Sequence, residues 1–292
     1  MINKNTVYQK IKLGLQSLQG KVILHSAPHH DDILLGYFPY AHRLLAGNTN
    51  HVVYMTPGDR GVSDQYLAKY ESLSLSQVDL MPLEEKQFLK ATIRQKESEK
   101  KWMLISGDTV RVHHFNAQFY HATPDLLDAA FYADVKRMAD YLMLVKPDVI
   151  TVLQDASGIG PISHHRSAQL MNAAIDNWKH HEPEQAKKLR IIGYRNIWTT
   201  FSYDQASMII PCTAQELANI ESIFKHCFLS QSNSMIMTPD EDNELVLMNF
   251  AEQSTYIMTE QWNSIAQSIN SNAMKALGLD PLAIKGAIFL QD

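Results

Sequence analysis

The sequence predicts an α/β protein built on a doubly wound, mostly parallel sheet with helices on both faces. Three observations predict it. Short apolar runs at residues 21–26, 51–56, 110–115 and 148–153 read as strands, the last of them, Asp148-Val149-Ile150-Thr151-Val152-Leu153, being the most strand-like stretch of the chain. The segments between them are longer and carry apolar residues at helical spacing, and such alternation is the pattern of parallel β-α-β units. Finally, 292 residues with 45% in the hydrophobic class can bury one substantial core, so a single domain over residues 1–292 is expected.

Taken in order, residues 5–18 place Val7, Ile11, Leu13, Leu15 and Leu18 near helical spacing until Gly20 stops the run. The strand at 21–26 leads to a helix over 33–45, the turn Gly47-Asn48 and the strand at 51–56, which completes one β-α-β unit. Residues 58–83 are a long polar excursion, of the length at which a functional loop or an inserted helix is expected. Pro82 then leads into a charged helix at about 83–106. After the strand at 110–115, Pro124-Asp125 opens a helix that runs to about Val145 and is closed by Pro147. The strand at 148–153 precedes a helix at about 163–181. Beyond Arg190 the pattern loosens into residues 191–203, a strand at 207–211, a Thr213-capped helix through Phe228 and a final helix around 259–270. Residues 233–292 read as a looser C-terminal extension, and no internal repeat is present.

Several function classes are excluded at this level. A net charge of −5, with no basic run beyond pairs such as Lys187-Lys188, offers no field for a nucleic acid. No eighteen-residue apolar stretch exists, since even 129–149 is broken by Asp134, Lys136, Arg137 and Asp140, so no membrane span is expected. Cys212 and Cys227 form no C-x-x-C, and nothing at the start reads as a signal peptide, which together suggest the cytoplasm. Homo-oligomerisation is left open.

In a doubly wound sheet, ligands collect in the loops after the strands. The densest polar group there is Pro28-His29-His30-Asp31-Asp32, at the junction of the first strand and the next helix. Imidazole with carboxylate is suitable chemistry for Zn²⁺, whose catalytic sites use three protein ligands and leave one position for water. A third ligand is available in Ser163-His164-His165-Arg166, after the strand at 148–153. Because zinc lowers the pKa of its water towards about 7, the second aspartate is free to take the proton.

Ala27-Pro28-His29-His30-Asp31-Asp32 resembles the A-H-P-D-D-E motif of the PIG-L/LmbE zinc-dependent N-acetylglucosamine deacetylases. His29, Asp31 and Asp32 take its defining positions, while His30 replaces the proline and Ile33 the glutamate. The family's H-P-D-H-R motif is met at Ile162-Ser163-His164-His165-Arg166 by its final His165-Arg166. Further family-like marks are Arg94-x-x-Glu97, Lys146-Pro147-Asp148-Val149 and Ser230-Gln231, so the resemblance spans about residues 20–232. Gly193-Tyr194-Arg195-Asn196-Ile197-Trp198 and His226-Cys227-Phe228-Leu229-Ser230-Gln231 look like a subset named after glucosamine-6-phosphate deaminase, a label that reflects fusion partners.

The resemblance implies a Rossmann-like fold and hydrolysis of an acetyl group from a small N-acetylated amino sugar or glycoconjugate by zinc-bound hydroxide. It implies His29, Asp32 and His165 as metal ligands, Asp31 as general base, and Arg94 as a substrate contact. Ile162 stands where the family has a catalytic histidine, and His164 is its nearest substitute for assisting the oxyanion or the leaving amine. Zn²⁺ is the implied cofactor, although another divalent transition metal such as iron or cobalt suits the same ligands. Two rivals remain: a metal- or sugar-binding module without turnover, suggested by Ile162, and an amino-sugar-phosphate isomerase or deaminase, suggested by the subset's name.

Bland readings stand beside these. Arg60, in Gly58-Asp59-Arg60-Gly61, is either a contact to a sugar or phosphate or a solvated turn charge. Arg94 shares its helix with Lys90, Lys96, Lys100 and Lys101, a composition typical of a solvated face. His113 and His114 alternate along a strand and cannot both grip one ion. Trp198, Phe201 and Tyr203 form either a sugar-stacking wall or part of a core or interface. Gly158-Ile159-Gly160 imitates a dinucleotide fingerprint, but Pro161 and Ser163 break it.

Overall fold

The computed structural model describes residues 3–155, 159–239 and 245–292. The chain opens with α1 (Lys4–Gly14), capped by the Asn3 side chain, and continues through β1 (Val22–Ala27), α2 (Asp32–Leu45) and β2 (Thr49–Tyr54). The polar excursion contains two short helices, α3 (Asp64–Glu71) and α4 (Leu75–Leu80), each begun by a serine whose hydroxyl accepts from a backbone N–H. There follow α5 (Leu83–Ser106), β3 (Arg111–His114), α6 (Leu127–Val145), β4 (Val149–Leu153), α7 (Ile162–His181), the short α8 (Pro183–Ala186) and β5 (Arg190–Tyr194). The remainder holds β6 (Met208–Thr213), α9 (Ala214–Cys227), β7 (Met235–Pro239), β8 (Leu245–Asn249), α10 (Phe250–Ala266), α11 (Ser271–Ala276) and β9 (Ile284–Leu290).

Strands β1 to β5 form one parallel sheet in the order β3-β2-β1-β4-β5. The chain winds outward from β1 in one direction and returns to continue in the other, so the crevice between the ends of β1 and β4 is the topological switch point. Alternation along each strand feeds two apolar layers. Ile23, Val52, Val149 and Ile192 face α2 and α9, where Leu34, Tyr37, Phe224 and Phe228 are buried. Leu24, Val53 and Ile150 face α6 and α7, where Met138, Leu142, Leu170, Ile175 and Trp178 are buried. The doubly wound architecture is therefore as the sequence predicts.

Helix α2 carries a kink with an identifiable cause. Pro39 has no N–H to give to the Leu35 carbonyl, Tyr37 leaves helical geometry (φ −157°, ψ 27°), and the freed carbonyl accepts from Ser254 Oγ at 2.6 Å. That bond ties α10 to α2.

The chain after residue 232 holds more regular structure than its pattern suggests. Strand β9 pairs antiparallel with β6, and Gln291 exchanges both backbone hydrogen bonds with Gly193 at the edge of the main sheet. Helix α10 begins at Phe250, not near residue 259, because Asn249 and Glu252 form a capping box. Its buried Gln253, Ser254 and Thr255 mask the apolar period. Among the described residues no helix is long and apolar enough to cross a membrane, and both cysteines are buried and unpaired.

Candidate metal centre

The loop after β1 is fixed before any ligand is considered. The Pro28 carbonyl accepts from the Thr56 N–H at 3.0 Å and from its hydroxyl at 2.8 Å, which locks the loop to the end of β2. The Asp32 carboxylate accepts from the His29 N–H at 2.6 Å, closing the turn that starts α2.

Three donors gather at this point. His29 Nδ1 lies 3.5 Å from Asp32 Oδ2, His164 Nε2 lies 3.0 Å from His29 Nδ1, and His164 Nε2 lies 3.5 Å from Asp32 Oδ1. Donor atoms of His29, Asp32 and His164 all fall within 4.8 Å of one another, the one such group among the described residues. His29 and Asp32 stand where the sequence places them. His165 does not join them: the helical turn that starts α7 points His164 at the cluster and directs its neighbour elsewhere. Ile162, at the position of the missing family histidine, is 63% exposed on the rim of the cleft.

Each donor is oriented from behind. Asp155, just past the end of β4, holds His164 Nδ1 at 2.6 Å, and Thr199 Oγ1 donates to the other oxygen of that carboxylate at 3.0 Å. Ser163 Oγ bonds His29 Nε2 at 3.0 Å, and Asn196 Nδ2 donates to Asp32 Oδ1 at 2.7 Å. A carboxylate or hydroxyl on the far nitrogen of an imidazole is the arrangement that presents its other lone pair to a metal. Burial pushes the Asp32 carboxyl up, but the charge of His164 and the bonds from His29 outweigh it and bring it down to about 2. Burial likewise opposes the charged form of His164, yet Asp32 and Asp155 hold its pKa above the usual imidazole value. The place thus favours positive charge.

These residues fit a divalent ion. Nitrogen ligands about 2.0–2.1 Å from tetrahedral zinc stand about 3.3 Å from each other, close to the 3.0 Å between His29 and His164.

Asp31 is buried beside the cluster and lines the same cleft. Arg94 Nη2 donates to its Oδ1 at 2.8 Å, and Arg94 Nη1 donates to Glu97 Oε2 at 3.2 Å. Glu97 in turn accepts from the Ser230 N–H and hydroxyl at 2.6 and 2.8 Å. Helix α5 accordingly turns a polar face inward: Arg94, Glu97, Ser98 and Lys101 are all buried, contrary to the solvated face its composition suggests. Lys101 Nζ and Trp102 Nε1 both donate to the Tyr54 hydroxyl at 2.8 Å. His30 stacks between Tyr54 and His114, with ring centroids at 4.6 and 5.2 Å, and burial holds it neutral. His113 faces away and stacks on Tyr141, so the two strand histidines part as alternation requires.

The cleft over these groups has a volume of about 450 Å³. Its walls include Leu35, Arg60, Tyr120, Arg166, Trp198 and Phe250. Trp198 therefore belongs to the site, whereas Phe201 and Tyr203 pack with α1. Of the glycines in the nucleotide-like run, Gly158 lies outside the described residues, and Gly160 packs on Trp198. Asp155 escaped the sequence reading, although its place directly after the clearest strand was a usable signal. Asn196 stood out only as part of a family-like segment.

No protein-family model matches the chain. Among curated proteins it is 25% identical over 236 residues to a putative glucosamine-6-phosphate deaminase-like protein of Bacteroides thetaiotaomicron, across 70% of this chain. The match covers 35% of that protein, so the chain spans about a third of the length of this relative. Among solved structures it is similar to N,N′-diacetylchitobiose deacetylase from Pyrococcus horikoshii, with TM-score 0.50, 17% identity, and 98% of this chain and 90% of the other covered. It is equally similar to GalB, the 4-carboxy-2-hydroxymuconate hydratase from Pseudomonas putida KT2440, with TM-score 0.51, 14% identity, and 94% and 95% covered. At such identities the likeness is one of fold.

Proposed function

We propose that this chain is a PIG-L/LmbE-type N-deacetylase, a metal-dependent hydrolase that removes an acetyl group from an amino sugar. The α/β fold is that of such deacetylases. The observation that carries the proposal is the meeting of His29, Asp32 and His164 at the carboxyl edge of the sheet, with Asp31 beside them in one cleft. Two imidazoles and one carboxylate form a ligand set that leaves a position open on zinc, and other divalent transition metals accept it too. A bound ion supplies Lewis acidity, polarising an acyl oxygen and easing the loss of a proton from water.

The chain's own residues divide the remaining work. His164, not His165, completes the ligand set, and Asp155, Ser163 and Asn196 hold the three ligands in place. Of the titratable groups lining the cleft among the described residues, His29, Asp32 and His164 are then committed, the arginines stay protonated, and so does Tyr120, which burial pushes up to about 12. Asp31 is left to carry the proton. Arg94 occupies its Oδ1, so Oδ2 takes the proton from water and returns it to the departing amine nitrogen. This gives Asp31 the acid role that the sequence lent to His164. Leu35, Ile197, Trp198 and Phe250 provide apolar wall for the acetyl methyl and a sugar face.

The test combines metal content by elemental mass spectrometry with acetate release from N-acetylglucosamine derivatives. Near-stoichiometric metal in the wild type, lost in His29→Ala and His164→Ala, is expected. Asp31→Asn is expected to keep the metal and lose hydrolysis by roughly 10²- to 10⁴-fold. A loaded wild type that releases no acetate but adds water to an unsaturated dicarboxylate would replace this reading with the hydratase chemistry named for GalB.

A further inference from the structure

Deacetylation as outlined leaves two cations of the cleft without a task. Arg60 and Arg166 both line it. Arg60 lies in the turn Asp59–Gly61 after β2, and Arg166 lies in the second turn of α7 after β4. They thus come from the two strands that flank β1, on either side of the loop that bears His29, Asp31 and Asp32.

Neither arginine has a carboxylate partner among the described residues. Arg60 is held in position by its Nη2, which donates to the Tyr120 carbonyl at 2.8 Å, and by the Tyr120 ring 4.7 Å beneath the guanidinium. Its remaining N–H groups bond no other described residue. Arg166 is half-buried and makes no hydrogen bond or ion pair with any described residue. The carboxylates of the cleft cannot serve them, because Asp31 is taken by Arg94 and Asp32 by His29 and Asn196. A third contribution of the same sign comes from α7 itself. This twenty-residue helix begins after Pro161 with no side chain capping its first N–H groups, and Pro161, Ile162 and Ser163 line the cleft.

We propose that Arg60, Arg166 and the first turn of α7 form an anion subsite, and that the substrate is an N-acyl amino sugar bearing a phosphate or carboxylate. The sugar half of this statement rests on the deacetylase reading; the anion half does not. A planar guanidinium pairs bidentately with either oxyanion, and a helix N-terminus adds backbone donors to the same ligand. A neutral sugar would leave both guanidinium groups facing solvent with nothing to recognise.

The metal-loaded protein is assayed for acetate release from N-acetylglucosamine, its 1-phosphate, its 6-phosphate and N-acetylmuramic acid, and separately titrated with inorganic phosphate by calorimetry. The anionic sugars are expected to exceed the neutral one in kcat/KM by about 10- to 100-fold, from one or two charge-assisted hydrogen bonds. The phosphate esters and the carboxylate sugar tell the two anions apart. In Arg60→Gln and Arg166→Gln that ratio should fall about tenfold or more, phosphate should bind correspondingly more weakly, and metal content should not change. Arg166→Lys should recover part of the ratio. If no sugar is hydrolysed but phosphate binding still depends on both arginines, the subsite stands and the deacetylase reading falls. If acetate is released equally well from neutral and anionic sugars, or if the variants leave the ratio and phosphate binding unchanged, the subsite is overturned.

Discussion

Replacing Lys101 by methionine is expected to stabilise the protein below neutral pH, by an amount that fades as pH rises. Lys101 is fully buried on α5. Its Nζ has one hydrogen bond, to the Tyr54 hydroxyl at 2.8 Å, and lies 4.2 Å over the Trp102 ring. Burial drives its pKa from 10.5 down to about 7, and the nearby charge of Asp31 offsets this only in part. Between about pH 7 and 10.5 the unfolded chain therefore keeps a proton that the native protein has released. Stability rises with pH across that window, by about 1.4 kcal/mol per pH unit. At pH 6 the native state carries the charge at its full cost, roughly 5 kcal/mol for the gap between 10.5 and about 7. Methionine keeps the aliphatic stem against Trp102 and loses one hydrogen bond worth about 1 kcal/mol, while Trp102 still serves the Tyr54 hydroxyl. A net gain approaching ~4 kcal/mol at pH 6 follows. Urea unfolding of both proteins from pH 6 to 9 reads it directly. Parallel pH profiles, or a variant weaker than wild type at pH 6, would refute the reasoning. The substitution also removes a positive charge from behind Asp31, so slower hydrolysis should accompany the added stability.

Asp155→Asn should weaken metal binding about 10- to 100-fold in chelator competition, since it uncharges the group that orients His164; an unchanged affinity would remove Asp155 from the site. His164→Ala should strip the metal and His165→Ala should leave it, as measured by metal content after dialysis, and the opposite result would restore the ligand that the family motif implies. Gly58→Ala should lower stability by about 1–2 kcal/mol in thermal unfolding, because Gly58 has φ +67° and an added Cβ would stand 3.2 Å from His30 Nδ1. A melting temperature equal to wild type would show that the turn relaxes.

Strand β5 lay in the stretch after Arg190 where the apolar pattern loosens, but β1 to β4 were legible as short apolar runs, and α5 was placed at Leu83–Ser106 by Pro82 before it. Strand β9 and the true start of α10 were not, because their partners are distant in sequence: β9 is stabilised by β6 and Gly193, and α10 buries Ser254 to satisfy a carbonyl freed by Pro39. The same distinction holds at the metal centre. His29 and Asp32 lie on one tight turn, so their spacing alone brings them together. The choice between His164 and His165 depends on the angle at which α7 leaves the β4 loop, and no local pattern encodes that. The solvated-face reading of α5 fails at Arg94 and Lys101 for a related reason. Composition marks a charged helix, but only packing decides which charges face inward.

The inward charges, taken together, bear on what the centre binds. Asp31, Asp32, Asp155 and Glu97 all have buried side chains around the cleft floor. Below about pH 7, where Lys101 keeps its proton, two buried cations, Arg94 and Lys101, stand against these four carboxylates. Buried charge without a partner is costly, and the usual escape is to change protonation state. Part of that escape is visible, since burial raises Glu97 and the charges around His164 raise its imidazole pKa. A proton on His164 neutralises one of the two surplus negative charges, whereas a divalent cation among His29, Asp32 and His164 neutralises both and leaves the imidazoles as neutral ligands. On this account Lys101 is retained at a cost to stability because removing it would enlarge the deficit that the ion must meet. Lys101→Met should then bind the metal at least as tightly as wild type even as its hydrolysis slows, a pairing of effects that a purely structural lysine would not produce.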